Sequence, residues 1–210
     1  MFNKRLGFII QIKEEFKMKN GFFAFTSRIK YINRWALMRN TNYETLSQHS
    51  QEVAVIAHAL AVIGNTRLSK NYNAERAALL GLYHDVPEII TGDMPTPVKY
   101  YNEEMHDTFQ KVEDNACLKL IDMLPEDLKP SFEPLFFKKE EDGELWKLVK
   151  AADKISAYIK CVEERKAGNT EFVDAERSSR LAVSALKCPE ATIFLNDFAG
   201  AYELPLDKLK

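Results

Sequence analysis

Apolar side chains recur every three to four residues along most of this chain, and alternation with a period of two is almost absent. A helix buries a stripe and a strand buries a face, so this pattern restricts the fold to packed helices. Phe22, Phe25, Ile29 and Ile32 make a first helical stripe. Ser47 is placed to cap a second helix that runs to about Ile63 and ends near Gly64 and Asn65. Asn73 predicts the cap of a third, through Ala77, Leu80 and His84, and Pro87 then interrupts or restarts the chain. Residues 91–97, Thr-Gly-Asp-Met-Pro-Thr-Pro, suit neither a regular helix nor a central strand. Further helices are expected over about 103–123, 144–166 and 172–186, with a connector punctuated by Pro125, Pro130 and Pro134. The expected architecture is one all-α domain over 18–190. Residues 1–17 precede it as a charged extension, an accessory helix or arm, with Met18 as an alternative start. Residues 191–210 follow as a tail packing on the domain or trailing from it.

Composition removes several function classes. Lys plus Arg is 29 against 31 Asp plus Glu, a net charge of −2, so nothing global marks a polymeric nucleic acid or a membrane surface as a partner. The eight glycines are spread too widely for a G-x-G-x-x-G turn or a Walker A loop, the nearest two being Gly81 and Gly92. The three cysteines, Cys117, Cys161 and Cys188, make no C-x-x-C pair, and an odd number argues against a disulfide framework. A reducing cytoplasm is the expected location. The most apolar stretch, Val53 to Ile63, is too short to span a bilayer.

Histidine chemistry must come from His49, His58, His84 and His106. At 100° per residue, His49 shares a stripe with Val53, Ile56, Leu60 and Ile63, whereas His58 points the opposite way. His84 shares the inward stripe of Ala77 and Leu80, Asp85 follows it directly, and Glu88 lies four residues on. Asp153 stands at the core edge of the helix that buries Leu145, Val149 and Ala152. Inward imidazoles and carboxylates are costly without compensation. Local capping and pairing is one account of them. A mixed nitrogen and oxygen metal site, suited to Mn²⁺, Co²⁺, Fe²⁺, Zn²⁺ or Mg²⁺, is the other.

His49, the pair His84-Asp85, and Asp153 resemble the H…HD…D signature of the HD-domain metal-dependent phosphohydrolases. Phe22-Phe23-Ala24, Ile32-Asn33-Arg34-Trp35, Leu37-Met38-Arg39-Asn40, Tyr83-His84-Asp85, the run Thr91 to Tyr100, and Ala157 to Glu164 narrow the resemblance to the bacterial 5′-deoxynucleotidases, from about residue 18 to about 180.

That resemblance implies a helical bundle with a metal site between helices, and removal of the 5′-phosphate from deoxyribonucleoside 5′-monophosphates. It implies one divalent cation, Co²⁺, Mn²⁺ or similar, held by His49, His84, Asp85 and Asp153. Glu88 corresponds to an acidic residue near the attacking water, a general base or proton relay whose plain alternative is a solvated carboxylate after Pro87. Asp85 is a second candidate for orienting that water. Arg34 corresponds to the phosphate contact, Trp35 to the sugar-pocket wall, and Asp93, Met94, Pro95 and Thr96 to the substrate loop. Phosphate would then need no glycine-rich cradle. A homodimer is implied as well. Pro87, residues 1–17 and the weakly matching region after about residue 180 depart from the family pattern. Other HD-type hydrolases of triphosphates, cyclic dinucleotides or guanosine polyphosphates, or a catalytically silent nucleotide-binding protein, are the alternatives.

Overall fold

The computed structural model describes residues 20–99 and 101–209; the expected extension over 1–17 lies outside them. Within the described residues there are helices and no strand, with a single isolated bridge between Asn33 and Thr45. The elements are α1 (Phe22–Thr26, continued by a 3₁₀ turn Ser27–Tyr31), α2 (Leu46–Arg67), α3 (Ala74–Tyr83) and α4 (Glu88–Thr91). They continue as α5 (Thr96–Lys99), α6 (Glu103–Asp122), α7 (Lys129–Phe136), α8 (Gly143–Lys166), α9 (Val173–Ala185) and α10 (Pro189–Phe198). No helix among the described residues is long and apolar enough to cross a membrane.

Several boundaries differ from the sequence reading, each for a local reason. The cap of α2 is Thr45 and not Ser47, because Thr45 and Gln48 form a reciprocal capping box that satisfies two exposed backbone donors. That helix also passes through Gly64, which is buried against the Tyr72 ring and serves packing and not termination. The first stripe divides into a turn of α-helix and a 3₁₀ turn. The proline-marked connector contains α7, with Pro130 in the first turn, where its missing N–H costs nothing. Residues 92–95 are irregular as expected, but α5 starts at Thr96, with Pro97 in its first turn. The helix α10 opens the expected tail, with Pro189 in its first turn, where a missing N–H costs nothing.

α2, α3 and α8 form the centre, with α9 packed on α8 and α10 across α2 and α8. Val53, Ile56, Leu60, Leu80, Leu148, Ile155 and Ile159 are all but removed from solvent there. A second cluster of Phe22, Val86, Leu120, Ile121 and Leu124 joins α1 to α6 below the His84–Pro87 turn. The approach of α2 to α3 depends on Gly81. A Cβ there would lie 3.0 Å from the Ala54 Cα and 3.1 Å from the Ala54 nitrogen, both backbone atoms that cannot rotate away.

The 35–45 loop is held from below by α8. Glu164, 1% exposed, accepts the Thr41 and Asn42 backbone N–H groups at 2.8 and 3.0 Å and the Asn169 side-chain N–H at 2.8 Å. Lys160 bonds both Glu164 and the Asn42 carbonyl. Burial opposes the charge on Glu164, but Lys160 and these N–H groups outweigh it and lower its pKa to about 2.

Two outcomes follow. Gly81→Ala gains about 1 kcal/mol of helix propensity but overpacks the α2–α3 contact by about 1–3 kcal/mol; a net fall in melting temperature is expected, and a rise would show that the contact can relax. Glu164→Gln leaves Lys160 buried beside a neutral group, at a cost of about 3 kcal/mol near neutral pH. Because the native pKa is depressed, this stability is full above the ordinary glutamate value of 4.5 and is lost as pH falls toward about 2. Denaturant titrations at stepped pH should show the two proteins converging over that window.

Candidate metal and substrate site

His49 leaves the first turn of α2 on its buried face and is fully buried. His84 follows the last residue of α3, and Asp85 opens the turn that ends at Pro87. The close packing at Gly81 brings the two imidazole rings to 5.4 Å between centroids. Asp85 Oδ2 lies 3.1 Å from His84 Nε2 and 3.4 Å from His49 Nε2. Asp153 Oδ1, from the middle of α8, lies 3.3 Å from His49 Nε2. His49, His84 and Asp85 present ligand-type atoms within 4.8 Å of one another, and Asp153 joins through its His49 contact. His58 and His106 are exposed and lie apart from this cluster.

The donor set fits a divalent metal ion on its own chemistry. Both Nε2 atoms are buried and have no hydrogen-bond partner, an arrangement that costs free energy unless something else occupies the space between them. The far nitrogens are occupied. His84 Nδ1 donates to the Gly81 carbonyl at 2.7 Å. Ser156 gives its hydroxyl hydrogen to Glu52 at 2.5 Å, which leaves its oxygen to accept from His49 Nδ1 at 3.0 Å. A proton on His84 Nδ1 leaves its Nε2 lone pair directed inward, the tautomer a metal-ligating histidine needs, whereas His49 Nδ1 stands between the Ser156 oxygen and the Arg34 Nη1 donor at 2.8 Å.

The electrostatics agree. Burial and the neighbouring Arg34 oppose a charge on His49, yet Asp153, Asp85 and Glu44 outweigh them and push its pKa up to about 10, so these carboxylates favour positive charge on the imidazole at the place where a bound cation would supply it instead. Burial likewise opposes ionisation of Asp85 and Asp153, but His84 and His49 hold Asp85, and His49 and Lys154 hold Asp153, well below the usual carboxylate range. The cluster therefore carries surplus negative charge at its centre, which favours positive charge there.

Arg34 and Trp35 lie between the 3₁₀ turn and α2. The Arg34 side chain is mostly buried, with Nη1 3.2 Å from Glu44 and Nη2 3.9 Å from Asp153, while its Nε has no partner. Trp35 adopts a left-handed backbone (φ 59°), donates its indole N–H to Glu44 at 2.8 Å and packs on Phe172. A cavity of about 670 Å³ opens beside them, bordered by Arg34, Trp35, Asp93, Met94, Pro95 and Asp153. Thr96 begins α5, and its side chain lies outside the described residues.

Glu88 is buried at the start of α4, so Pro87 does not carry it to the surface. Its Oε2 has no partner, and burial, then Asp85 and Asp93, push its pKa up to about 9.

Several lining residues were not anticipated. Ala175, Ser178, Ser179 and Ala182 on α9 form the far wall, with Leu37, Met38 and Lys154 completing the rim. Their i, i+3, i+4, i+7 spacing was visible, but small residues at that spacing equally mark helix packing. Glu44, Ser156 and Glu52 support the site from behind; Ser156 and Glu52 lie at helical spacing from Ala152 and His49, but Glu44 stands in an irregular loop with no periodic signal.

The geometry agrees with what related proteins are. Residues 21–202 match the family described as 5′-deoxynucleotidase YfbR-like. The chain is 46% identical over 191 residues to a 5′-deoxynucleotidase of Vibrio vulnificus, covering 91% of this chain and 98% of the relative. It is 46% identical to 5′-deoxynucleotidase YfbR of Escherichia coli, covering 91% and 96%. An HD-domain phosphohydrolase from Listeria innocua has a similar fold (TM-score 0.75, 20% identity, 86% and 87% coverage). So has a cyanophage S-2L HD phosphohydrolase bound to dA and one catalytic Zn²⁺ ion (TM-score 0.51, 17% identity, 78% and 95% coverage). The cluster on α2, α3 and α8 thus lies in an HD-type helical bundle, and the chain belongs to the 5′-deoxynucleotidase YfbR-like family.

Proposed function

We propose that this protein is a divalent-metal-dependent 5′-deoxynucleotidase that hydrolyses deoxyribonucleoside 5′-monophosphates to deoxyribonucleoside and phosphate. The observation that carries the reading is the pair of buried, partnerless Nε2 atoms of His49 and His84, converging with Asp85 and Asp153 at the edge of a cavity that Arg34 borders. The 5′-deoxynucleotidase relatives supply the substrate class.

His49, His84, Asp85 and Asp153 would hold the cation, Co²⁺ or Mn²⁺ by expectation. A divalent cation supplies acidified water and a polarised phosphoryl oxygen. Arg34 orients the phosphate, since it borders the cavity and its Nη2, 3.9 Å from Asp153, can turn to anionic oxygens while Nη1 is held by Glu44 and His49. Glu88 accepts the proton of the attacking water. Its burial makes it a stronger base than an exposed glutamate; Arg34 and Lys99 only partly offset burial, Asp85 and Asp93, and a bound divalent cation would add the positive charge that favours its ionised form. Asp85 helps to orient that water. Asp93, Met94, Pro95 and Thr96 form the loop beside the sugar, and Trp35 is the wall that leaves no room for a 2′-hydroxyl.

The reading extends to a cytoplasmic homodimer. Free, buried Cys117 and Cys161 accord with a reducing compartment.

The test is phosphate release from a panel of deoxy- and ribonucleoside monophosphates, using EDTA-stripped protein with Mn²⁺ or Co²⁺ added back. Release from dAMP and dTMP, absent without metal, is expected. Pyrophosphate or triphosphate release from nucleoside triphosphates would favour another HD hydrolase, and no release from any nucleotide would leave a binding protein. Metal content measured on purified variants separates the roles. His84→Ala and Asp85→Asn should lose the metal. Arg34→Ala should keep it and lose about 100-fold or more in turnover. Glu88→Ala should keep it and lose about 10²–10⁴-fold; full activity there removes Glu88 from the chemistry.

A further inference from the structure

We propose that Glu44 is a positioning residue that sets the Trp35 wall against the Arg34 phosphate contact, and thereby sets discrimination between deoxyribo- and ribonucleotides. The proposal rests on the reading of Trp35 as the sugar wall.

Glu44 grips the Arg34-Trp35 dipeptide at three points. Its backbone carbonyl accepts the Arg34 backbone N–H at 2.9 Å. Its carboxylate accepts from Arg34 Nη1 at 3.2 Å and from the Trp35 indole N–H at 2.8 Å. The Glu44 side chain is only 11% exposed, so these charge-assisted bonds are sheltered from competing water.

Trp35 needs such a grip. Its φ of 59° is a region that a bulky residue enters only when its surroundings impose it. Other contacts hold it less specifically. Asn40 donates to its carbonyl at 3.2 Å, and Phe172 packs on the ring at 5.4 Å between centroids. The carbonyl bond leaves the side-chain torsions free, and an aromatic contact tolerates sliding. A hydrogen bond to the indole N–H is directional and fixes one edge of the ring. One carboxylate therefore ties the wall and the phosphate fork into a single rigid unit. A 2′-hydroxyl is refused only if the wall cannot retreat while phosphate stays on Arg34. Steric selection of this kind requires rigidity, because a wall that gives by a few tenths of an ångström excludes little.

The experiment measures kcat/KM for dAMP and AMP on the metal-loaded protein in wild type, Glu44→Gln, Glu44→Asp and Trp35→Ala. Glutamine removes the charge that strengthens both bonds, and aspartate keeps the charge but falls short of the indole. Both should lower the dAMP:AMP ratio by about tenfold or more, the effect of losing one charge-assisted hydrogen bond. The ratio is taken within each variant, so a reduced folded fraction cancels, and the aspartate variant stands if the glutamine variant fails to fold. A second readout needs no turnover. In a Trp146→Phe background Trp35 is the sole indole, and Glu44→Gln should shift its emission maximum, because the charged acceptor at the indole N–H is lost. An unchanged ratio in both Glu44 variants, with a collapsed ratio in Trp35→Ala, overturns the role of Glu44 and leaves Trp35 as the wall. An unchanged ratio in Trp35→Ala overturns the wall itself, and the proposal with it. Unchanged Trp35 emission also overturns the proposal.

Discussion

The backbone contact between α2 and α3 at Gly81 governs everything built above it. Two imidazoles on separate helices converge only if the helix axes approach more closely than ordinary side chains permit. Gly81 against Ala54 provides that approach, one turn before His84 and one turn after His49. From there His84 is fixed by the Gly81 carbonyl itself, so the residue that permits the approach also orients the ligand nitrogen.

Burying that much charge is tolerable because each group is answered by another. Asp85 and Asp153 face His49, Arg34 faces Glu44 and Asp153, and His49 is backed by Ser156 and Glu52. The compensation is incomplete at the centre, where the two Nε2 atoms and a Glu88 oxygen stand without partners. Unmet groups at the focus of an otherwise satisfied network are the usual signature of a site kept open for chemistry and not for stability. The 35–45 loop extends the logic outward. Loops are ordinarily mobile, but here Lys160 and Glu164 pin its backbone to α8, so that Arg34 and Trp35 act as parts of the bundle.

Legibility from sequence followed periodicity. The stripe of His49, Val53, Ile56 and Leu60 and that of Ala77, Leu80 and His84 were readable because helix geometry alone decides which positions share a face. Their inward orientation in the structure agrees with that reading. Caps and short helices were less readable. Thr45 displaces Ser47 because a capping box depends on the partner at Gln48, α5 is a single turn, and α7 and α10 open on prolines that mark connectors as readily as helix starts. Glu44 was invisible for a different reason. It lies in an irregular loop, where no spacing rule links it to residues ten positions earlier.

The sequence by itself determined that the chain is helical and which histidines turn inward, since both follow from a repeat of 3.6 residues. Through the motifs around His49, His84-Asp85 and Asp153 it also indicated the family. The tertiary structure decided what those residues face. The distances among His49, Asp85 and Asp153, the unpaired state of Glu88, the small-residue wall on α9 and the grip of Glu44 on Arg34 and Trp35 join distant segments, His49 and Asp153 being 104 positions apart. Local rules act over one or two helical turns, and only the packing of α2, α3, α8 and α9 sets how their faces meet.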